Sequence, residues 1–421
     1  MNMRIAAIIS FGLVLGLPAH AQHLLAPMDK AQTDHLRAYG LAYWCLHSPR
    51  GYECEWLLNY RSGSFLLPDL PDVRARAKAL NVLVEPVSAA ALQRVARTIA
   101  DNNMERVQLT RAPRIAVYVP PDNEPWDDAV RMALDYAQIE YKTLWDREVL
   151  AGKLDDYDWL HLHHEDFSGQ FGKFYTSFAN QPWYRRQVLS STQVAQQLGF
   201  TSVCAEKQAV AARVAQWVHR GGLLFAMCSV PDSLDVALAA QGMDIVPPQI
   251  DGTPMEPDAS AKLKFGATMA FRNFKLVTNP SVVEISDIDV QPAVAPTVSG
   301  GQTFELFEFS AKQDPIATML TQDHVSRVPD FMGLTSTFRR SLLKDNVIVL
   351  GDFPGADHVK YIHGDYGDGT FTFLGGHDPE DYAHFVGEAS TDLSYHPHSP
   401  GYRLILNNVL FPAAKTKERK T

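Results

Sequence analysis

Two short stretches hold most of the side chains able to do chemistry together. The first is His161-Leu162-His163-His164-Glu165-Asp166. Imidazoles beside carboxylates suit a divalent metal or a polar ligand. On a strand, His161 and His163 point to one face, and His164, Glu165 and Asp166 fall at its end. The second stretch is Gly375-Gly376-His377-Asp378-Pro379-Glu380, where paired glycines permit a tight turn directly after an apolar run. His161, His163 and His377 are therefore the candidate metal ligands. His161, His163, His164, Glu165, Asp166 and Asp378 form the candidate ligand-binding set. His363, His384, His396 and His398 enlarge the supply of imidazoles.

Cys228 is the candidate nucleophile. It follows the apolar run 223–227 and precedes a helix expected over 232–240. A thiol at such a turn feels the helix N-terminus, which favours the thiolate. In that reading Cys228 attacks, His377 transfers protons and Glu380 orients the imidazole, which is acyl or amide hydrolysis. Ala226-Met227-Cys228-Ser229-Val230 lacks the flanking glycines of a nucleophile elbow, so a packed thiol competes with this reading. Cys45 and Cys54 flank the turn Ser48-Pro49-Arg50-Gly51 and are the candidate disulfide. CxxC spacing is absent, so a thiolate zinc site is not supported. The turn from Asn59 to Ser64 offers backbone N–H groups to an anion. It matches neither a Walker A loop nor GxGxxG, and no nucleotide cofactor is expected. A divalent metal is the one cofactor these residues point to.

The elements that must position these groups read as α/β. Ile115-Ala116-Val117-Tyr118-Val119, Trp159 to His163, and Leu223 to Met227 are apolar strands of the kind buried on both faces. Between them fall helices, one beginning with Pro125 at its first position and one over 205–220 stopped by Gly221-Gly222. Alternation of this kind predicts a doubly wound, mostly parallel, flavodoxin-like sheet, with sites at the carboxyl edge of its strands. Residues 22–110 form an N-terminal α/β segment with strands at 24–26, 53–58 and 82–84. The main domain runs over 111–412. It is interrupted by an irregular insertion of about 231–345, where Val246-Pro247-Pro248 and Pro292 to Pro296 read as connections. Tyr175, Phe178, Trp183 and Tyr184 cluster after the histidines as a candidate lid. A tail occupies 413–421.

Composition narrows the class. Of 421 residues, 46% are hydrophobic and 20% charged, enough for a packed core and too few charges for wholesale disorder. Lys plus Arg number 38 against 48 Asp plus Glu, and the formal charge of −10 argues against a nucleic-acid partner. Residues 1–21 have the form of a cleaved signal peptide: Arg4, a short apolar run from Ile5 to Leu17, then Ala19-His20-Ala21. The run is too short to span a bilayer. The expectation is a periplasmic or secreted protein with no membrane segment, acting on a small-molecule ligand.

The stretch from Ile115 to Ser229, with its strand ending at Cys228, and the later Gly375-Gly376-His377-Asp378 resemble the class I glutamine amidotransferase-like superfamily. Gly367 to Asp378 is similar to that superfamily's trehalose-utilisation-type branch. The whole chain, including Leu57-Leu58-Asn59-Tyr60-Arg61 and the run from Trp159 to Gly172, resembles exported bacterial proteins often labelled asparagine synthetase B. The superfamily implies a flavodoxin-like sheet and a triad of Cys228, His377 and a carboxylate. Its usual His-x-Glu is here His377-Asp378-Pro379-Glu380, and the trehalose-utilisation-type branch commonly lacks the cysteine. The motifs do not support the synthetase label itself. Such an enzyme starts on a catalytic cysteine and carries SGGxDS, whereas this chain would start at Gln22 and has Ser229-Val230-Pro231-Asp232-Ser233. The leading expectation is a hydrolase of an amide, ester or sugar-derived small molecule. The alternatives are a non-catalytic carbohydrate-binding protein and a metal-dependent hydrolase.

Overall fold

The protein is described by a computed structural model covering residues 23–120, 127–291, 302–382, 385 and 387–415. The expected signal peptide, Pro125, Pro292 to Pro296, His384 and the tail beyond 415 lie outside the described residues.

Strands β1 (His23–Ala26), β2 (Cys54–Leu58), β3 (Ser64–Pro68), β4 (Glu85–Val87) and β5 (Glu105–Leu109) form a first sheet in the order β4-β1-β3-β2-β5. Every pairing in it is antiparallel. The strand expected at 82–84 begins three residues later, because the chain is still turning at Asn81, a left-handed residue with φ 56°. The helix His35–Leu46 is capped by the Asp34 side chain, which accepts from the Arg37 N–H. It lies so close to the helix Ala129–Ala137 that a Cβ on Gly40 would meet the Ala137 carbonyl oxygen at 1.8 Å. That glycine is what lets the two helices touch.

Cys45 and Cys54 do not form the expected disulfide. All four cysteines are thiols, and Cys54 is turned onto the Tyr52 carbonyl at 3.7 Å. Cys45 near the end of its helix and Cys54 at the start of β2 are both buried and stay unbonded to each other.

The second sheet comprises β6 (Ile115–Tyr118), β7 (Lys142–Leu144), β8 (Trp159–Leu162), β9 (Leu223–Met227), β10 (Thr303–Leu306), β11 (Arg327–Pro329), β12 (Phe338–Arg339), β13 (Val347–Asp352), β14 (His358–Tyr366) and β15 (Gly369–Leu374). Its order is β11-β10-β13-β14-β15-β9-β8-β6-β7, with β12 beside β14. The run β7-β6-β8-β9-β15 is parallel and the remaining pairings are antiparallel, so the sheet is mixed. Alternate residues of the parallel strands enter two different cores. Ile115, Val117, Trp159, Phe225 and Met227 face the helices His35–Leu46, Ala129–Ala137 and Pro400–Leu410. Ala116, Tyr118, Leu160, Leu162, Leu224 and Ala226 face the helices Val203–His219 and Val230–Ala239. Burial on both faces explains why these strands read as unbroken apolar runs.

The two sheets are not independent. Arg403 of the helix Pro400–Leu410 is fully buried, and its guanidinium donates to the Met28 carbonyl (2.9 Å), the Tyr39 hydroxyl (3.1 Å) and the Ser62 carbonyl. Leu109 bridges to Ala414, flanked by Thr110 N–H to Ala413 O and Lys415 N–H to Gln108 O. The end of the chain is thereby stitched to β5. Among the described residues, no helix is long and apolar enough to cross a membrane.

Candidate functional site

Four parallel strands deliver the site from their carboxyl ends. After β6 come Asp127 and Asp128, from β8 and its end come His161, His163, His164 and Glu165, after β9 comes Cys228, and after β15 comes His377. In-register parallel pairing of Val117 with His161, His161 with Phe225 and Met227 with Leu374 aligns these ends along one edge.

The imidazoles form one buried group. His163 meets His377 edge-on, with ring centroids 4.4 Å apart and planes at 78°; His164 lies 5.5 Å from His163 and 6.1 Å from His377. One nitrogen from each of His163, His164 and His377 falls within 4.8 Å of the others. Asp128, His161 and His163 form a second such group sharing His163. Here His161 Nε2 lies 3.2 Å from His163 Nδ1 and 3.3 Å from Asp128 Oδ1, and His163 Nδ1 lies 3.4 Å from the same oxygen. His161 Nδ1 is 3.1 Å from the Phe225 carbonyl. Asp128 also caps the helix Ala129–Ala137, accepting from the N–H groups of Val130 and Arg131. Burial alone would raise its carboxyl, but the imidazoles of His161 and His163 and those bonds outweigh it and hold the group well below the usual carboxylate range. Asp127 Oδ1 stands 3.9 Å from His377 Nε2.

Sequence reasoning missed Asp127 and Asp128. The signal was there: an Asp directly before the apolar period of Ala129, Val130, Ala133 and Leu134 is an N-cap. Assigning the first helical position to Pro125 hid it, since the helix starts at Ala129.

The other expected residues are placed as follows. Glu165 Oε1 lies 3.5 Å from His164 Nε2, and burial pushes its carboxyl up to about 8, against the pull of Lys207. Asp166 turns away from the imidazoles to organise its own loop, accepting from the N–H groups of Ser168 (2.7 Å), Gln170 (3.1 Å) and Gly172 (2.8 Å). Phe171, Gly172 and Lys173 of that loop are all left-handed. Burial lowers the Lys173 ammonium to about 8, and it donates to the carbonyls of Val277, Asn279 and Glu284. Tyr175, Phe178, Trp183 and Tyr184 follow, with Trp183 5.3 Å from Phe178 and 5.8 Å from Tyr184. Asp378 is buried, which raises its carboxyl, and accepts from the Glu380 N–H at 2.9 Å. Glu380 engages His396 Nδ1 at 3.0 Å and the Tyr382 hydroxyl at 3.4 Å. His363 pairs with Thr372 Oγ1 at 2.8 Å, and His398 with His35. The turn at 59–63 is occupied by the protein itself: Asn59 N–H meets Gln322, and Arg61 reaches Asp29 and Glu85.

Cys228 lies at the strand-to-helix turn with φ 52°, a left-handed conformation adopted without flanking glycines. Its N–H donates to the Gly376 carbonyl at 3.0 Å, next to His377. The sulfur is buried, with the backbone of Leu334, Ser229 and Thr335 close by. Burial pushes the thiol up to about 12. A group in that state is a neutral, packed thiol at neutral pH.

No family model matches the chain, and no curated protein matches it. Solved structures similar to it include two cytoplasmic proteins of Salmonella typhimurium. One is 9% identical over 72% of this chain and 100% of that chain, with a TM-score of 0.33. The other, from strain LT2, is 13% identical over 72% and 100%, with a TM-score of 0.35. Likenesses this distant say nothing about activity.

Proposed function

We propose that this protein is an exported, divalent-metal-dependent hydrolase of a small amide, ester or sugar-derived molecule. The observation that carries the reading is the convergence of His163, His164 and His377 within 4.8 Å at the carboxyl edge of the parallel strands. Three nitrogens about 2 Å from a tetrahedral ion stand about 3.4 Å from one another, a spacing that small ring rotations reach from here. A zinc-like ion held by His163, His164 and His377 would keep a fourth position for water and would bring that water's pKa to near neutral. Asp127, with Oδ1 3.9 Å from His377 Nε2, would be the carboxylate to receive a proton there. The strand order β7-β6-β8-β9-β15 supports a flavodoxin-like, amidotransferase-like fold. In that order the switch point lies between β6 and β8, the strands that supply Asp127, Asp128 and the histidine run. The form of residues 1–21 supports export.

A second reading, a thiol hydrolase, is favoured by the left-handed Cys228 beside Gly376. Its burial and raised pKa stand against it.

The test is elemental analysis of the purified full chain, followed by chelation and titration with zinc, manganese, cobalt and nickel. Esters and amides are then screened with and without the ion. Stoichiometric metal with metal-dependent turnover supports the reading. A metal-free protein whose melting temperature ignores all four ions overturns it.

A further inference from the structure

We propose that Lys360 and Asp330, a buried ion pair, are positioning residues for His377 and act on it through the backbone of residues 330–337. The inference rests on the metal reading above and says what holds one of its ligands in place.

Lys360 lies on β14 and is 0% exposed, with Asp330 beside it at 1%. Residues 330–337, between β11 and β12, belong to no helix or strand, so other groups must hold their backbone. The ammonium has three hydrogens and three acceptors within reach. These are Asp330 Oδ1 at 2.7 Å, the Phe331 carbonyl at 2.6 Å and the Ser336 carbonyl at 3.0 Å. One side chain thus draws together the two ends of a short loop. Asp330 supplies the opposite charge that an ammonium so deeply enclosed requires.

The carbonyls just inside that pinch are the ones that hold the histidine turn. Thr335 O accepts from the Gly376 N–H at 2.8 Å, and Met332 O from the His377 N–H at 2.7 Å. Gly333 packs so closely here that a Cβ on it would stand 2.8 Å from the Gly376 Cα and the His377 nitrogen. On the sheet side, the Lys360 carbonyl accepts from the Gly375 N–H at 2.8 Å, and the Cys228 N–H donates to the Gly376 carbonyl at 3.0 Å. Gly376 itself is left-handed, with φ 91°, and a side chain on it would run into the Phe331 ring. The backbone that carries His377 is therefore set by a loop from another part of the chain, and the loop by one ammonium. His163 and His164 come from the end of β8, with β9 between it and β15. A displaced turn would move one ligand against the other two, and a metal site needs its groups held within about 0.5 Å.

Removing one charge alone would leave its partner buried and unpaired, and would test stability rather than position. The pair is therefore replaced whole, as Lys360→Met with Asp330→Leu, a kind of change that buried ion pairs often accept without loss of stability. Gly333→Ala disturbs the same turn and leaves the pair intact.

Two measurements on the full chain decide it. In metal-free protein, hydrogen-exchange mass spectrometry is expected to show slow exchange over 375–377 in the wild type. In both variants exchange there should be faster by about tenfold or more, with β6 unchanged. In zinc titrations both variants are expected to bind about 10–100-fold more weakly, while the double variant melts near wild type. Wild-type exchange in both variants overturns the proposal. Faster exchange with wild-type zinc affinity overturns it too, because the pair is then structural only. If the double variant does not fold, Gly333→Ala decides by the same two readouts. A wild type that binds no zinc sinks the metal reading instead, and exchange over 375–377 still decides whether the loop holds the turn.

Discussion

The rings of His163 and His377 meet edge to face at 4.4 Å, each standing at the carboxyl end of a different parallel strand with β9 between them. Such a contact joins the two stretches that carry the chemistry, and it is the closest of the ring contacts among His163, His164 and His377. If the contact is a ligand edge, removing either ring should act on metal binding far more than on folding. His163→Gln and His377→Gln are each expected to weaken zinc binding more than the roughly 100-fold ceiling for residues that only support a ligand. Competition titration against a chromogenic chelator reads this, and unchanged affinity in both variants counts against the site.

Cys228 is expected to be inert in the native state. Its sulfur is buried and pushed up to about 12, so iodoacetamide at pH 7.5 should leave it unmodified until the protein is unfolded. Intact mass before and after denaturation reports this. Cys228→Gly should lose packing but relieve the left-handed backbone, for which a non-glycine residue costs about 1 kcal/mol. Rapid native alkylation would restore the thiol reading.

Stability should fall in acid, through His35 above all. Burial, with Arg403, His324 and His398 nearby, lowers His35 to about 3, against the Asp29 carbonyl bond that raises it. His363 is lowered to about 4 by burial. Both are depressed below the unfolded value of about 6.5, so the unfolded chain binds more protons between those limits. Stability is then full above about 6.5 and lost as pH falls toward 3–4, each group contributing up to about 1.4 kcal/mol per pH unit. In urea melts from pH 7.5 to 4, His35→Gln should flatten this limb. An unchanged slope would rule His35 out.

Lys207 should be the most costly charged residue to remove. It is buried, with Nζ 2.9 Å from both oxygens of Asp146 and 3.0 Å from the Tyr118 hydroxyl. Lys207→Met strands Asp146 and should cost about 3–5 kcal/mol in denaturant unfolding. By contrast, burial raises the Glu206 carboxyl toward its neutral form, and Glu206→Gln should cost far less than Lys207→Met.

Gly40→Ala tests the docking of the first sheet. The new methyl would collide with the Ala137 carbonyl, so the helices must part, at about 1–3 kcal/mol or more. Thermal unfolding checks it.

The inner parallel strands β6, β8, β9 and β15 were legible because they are buried on both faces and so carry almost no polar break, whereas the edge strand β7, with Lys142 and Thr143 exposed, was not. β14 was not, since its row His358-Val359-Lys360-Tyr361-Ile362-His363 buries a lysine and a histidine that no hydrophobic pattern contains. Lys360 is tolerated there because Asp330 lies 2.7 Å from it and two carbonyls accept its hydrogens, partners that come from far along the chain. The histidine run and His377 stood out by residue type alone. Asp127 and Asp128 did not, because a helix cap looks the same in sequence whether or not an imidazole reaches it. Cys228 looked reactive from its place at a strand end, and only the fold reveals how deeply it is enclosed.

The stitching of Arg403 and Ala414 to the first sheet has a consequence for how the molecule is made. A ribosome releases β1 to β5 early, yet the guanidinium that satisfies the Met28 and Ser62 carbonyls follows about 290 residues behind β5. At about 5–20 residues per second the finished first sheet waits roughly 15–60 s for its own clamp. Until then its docking on the main sheet is incomplete, and the two carbonyls are left to water.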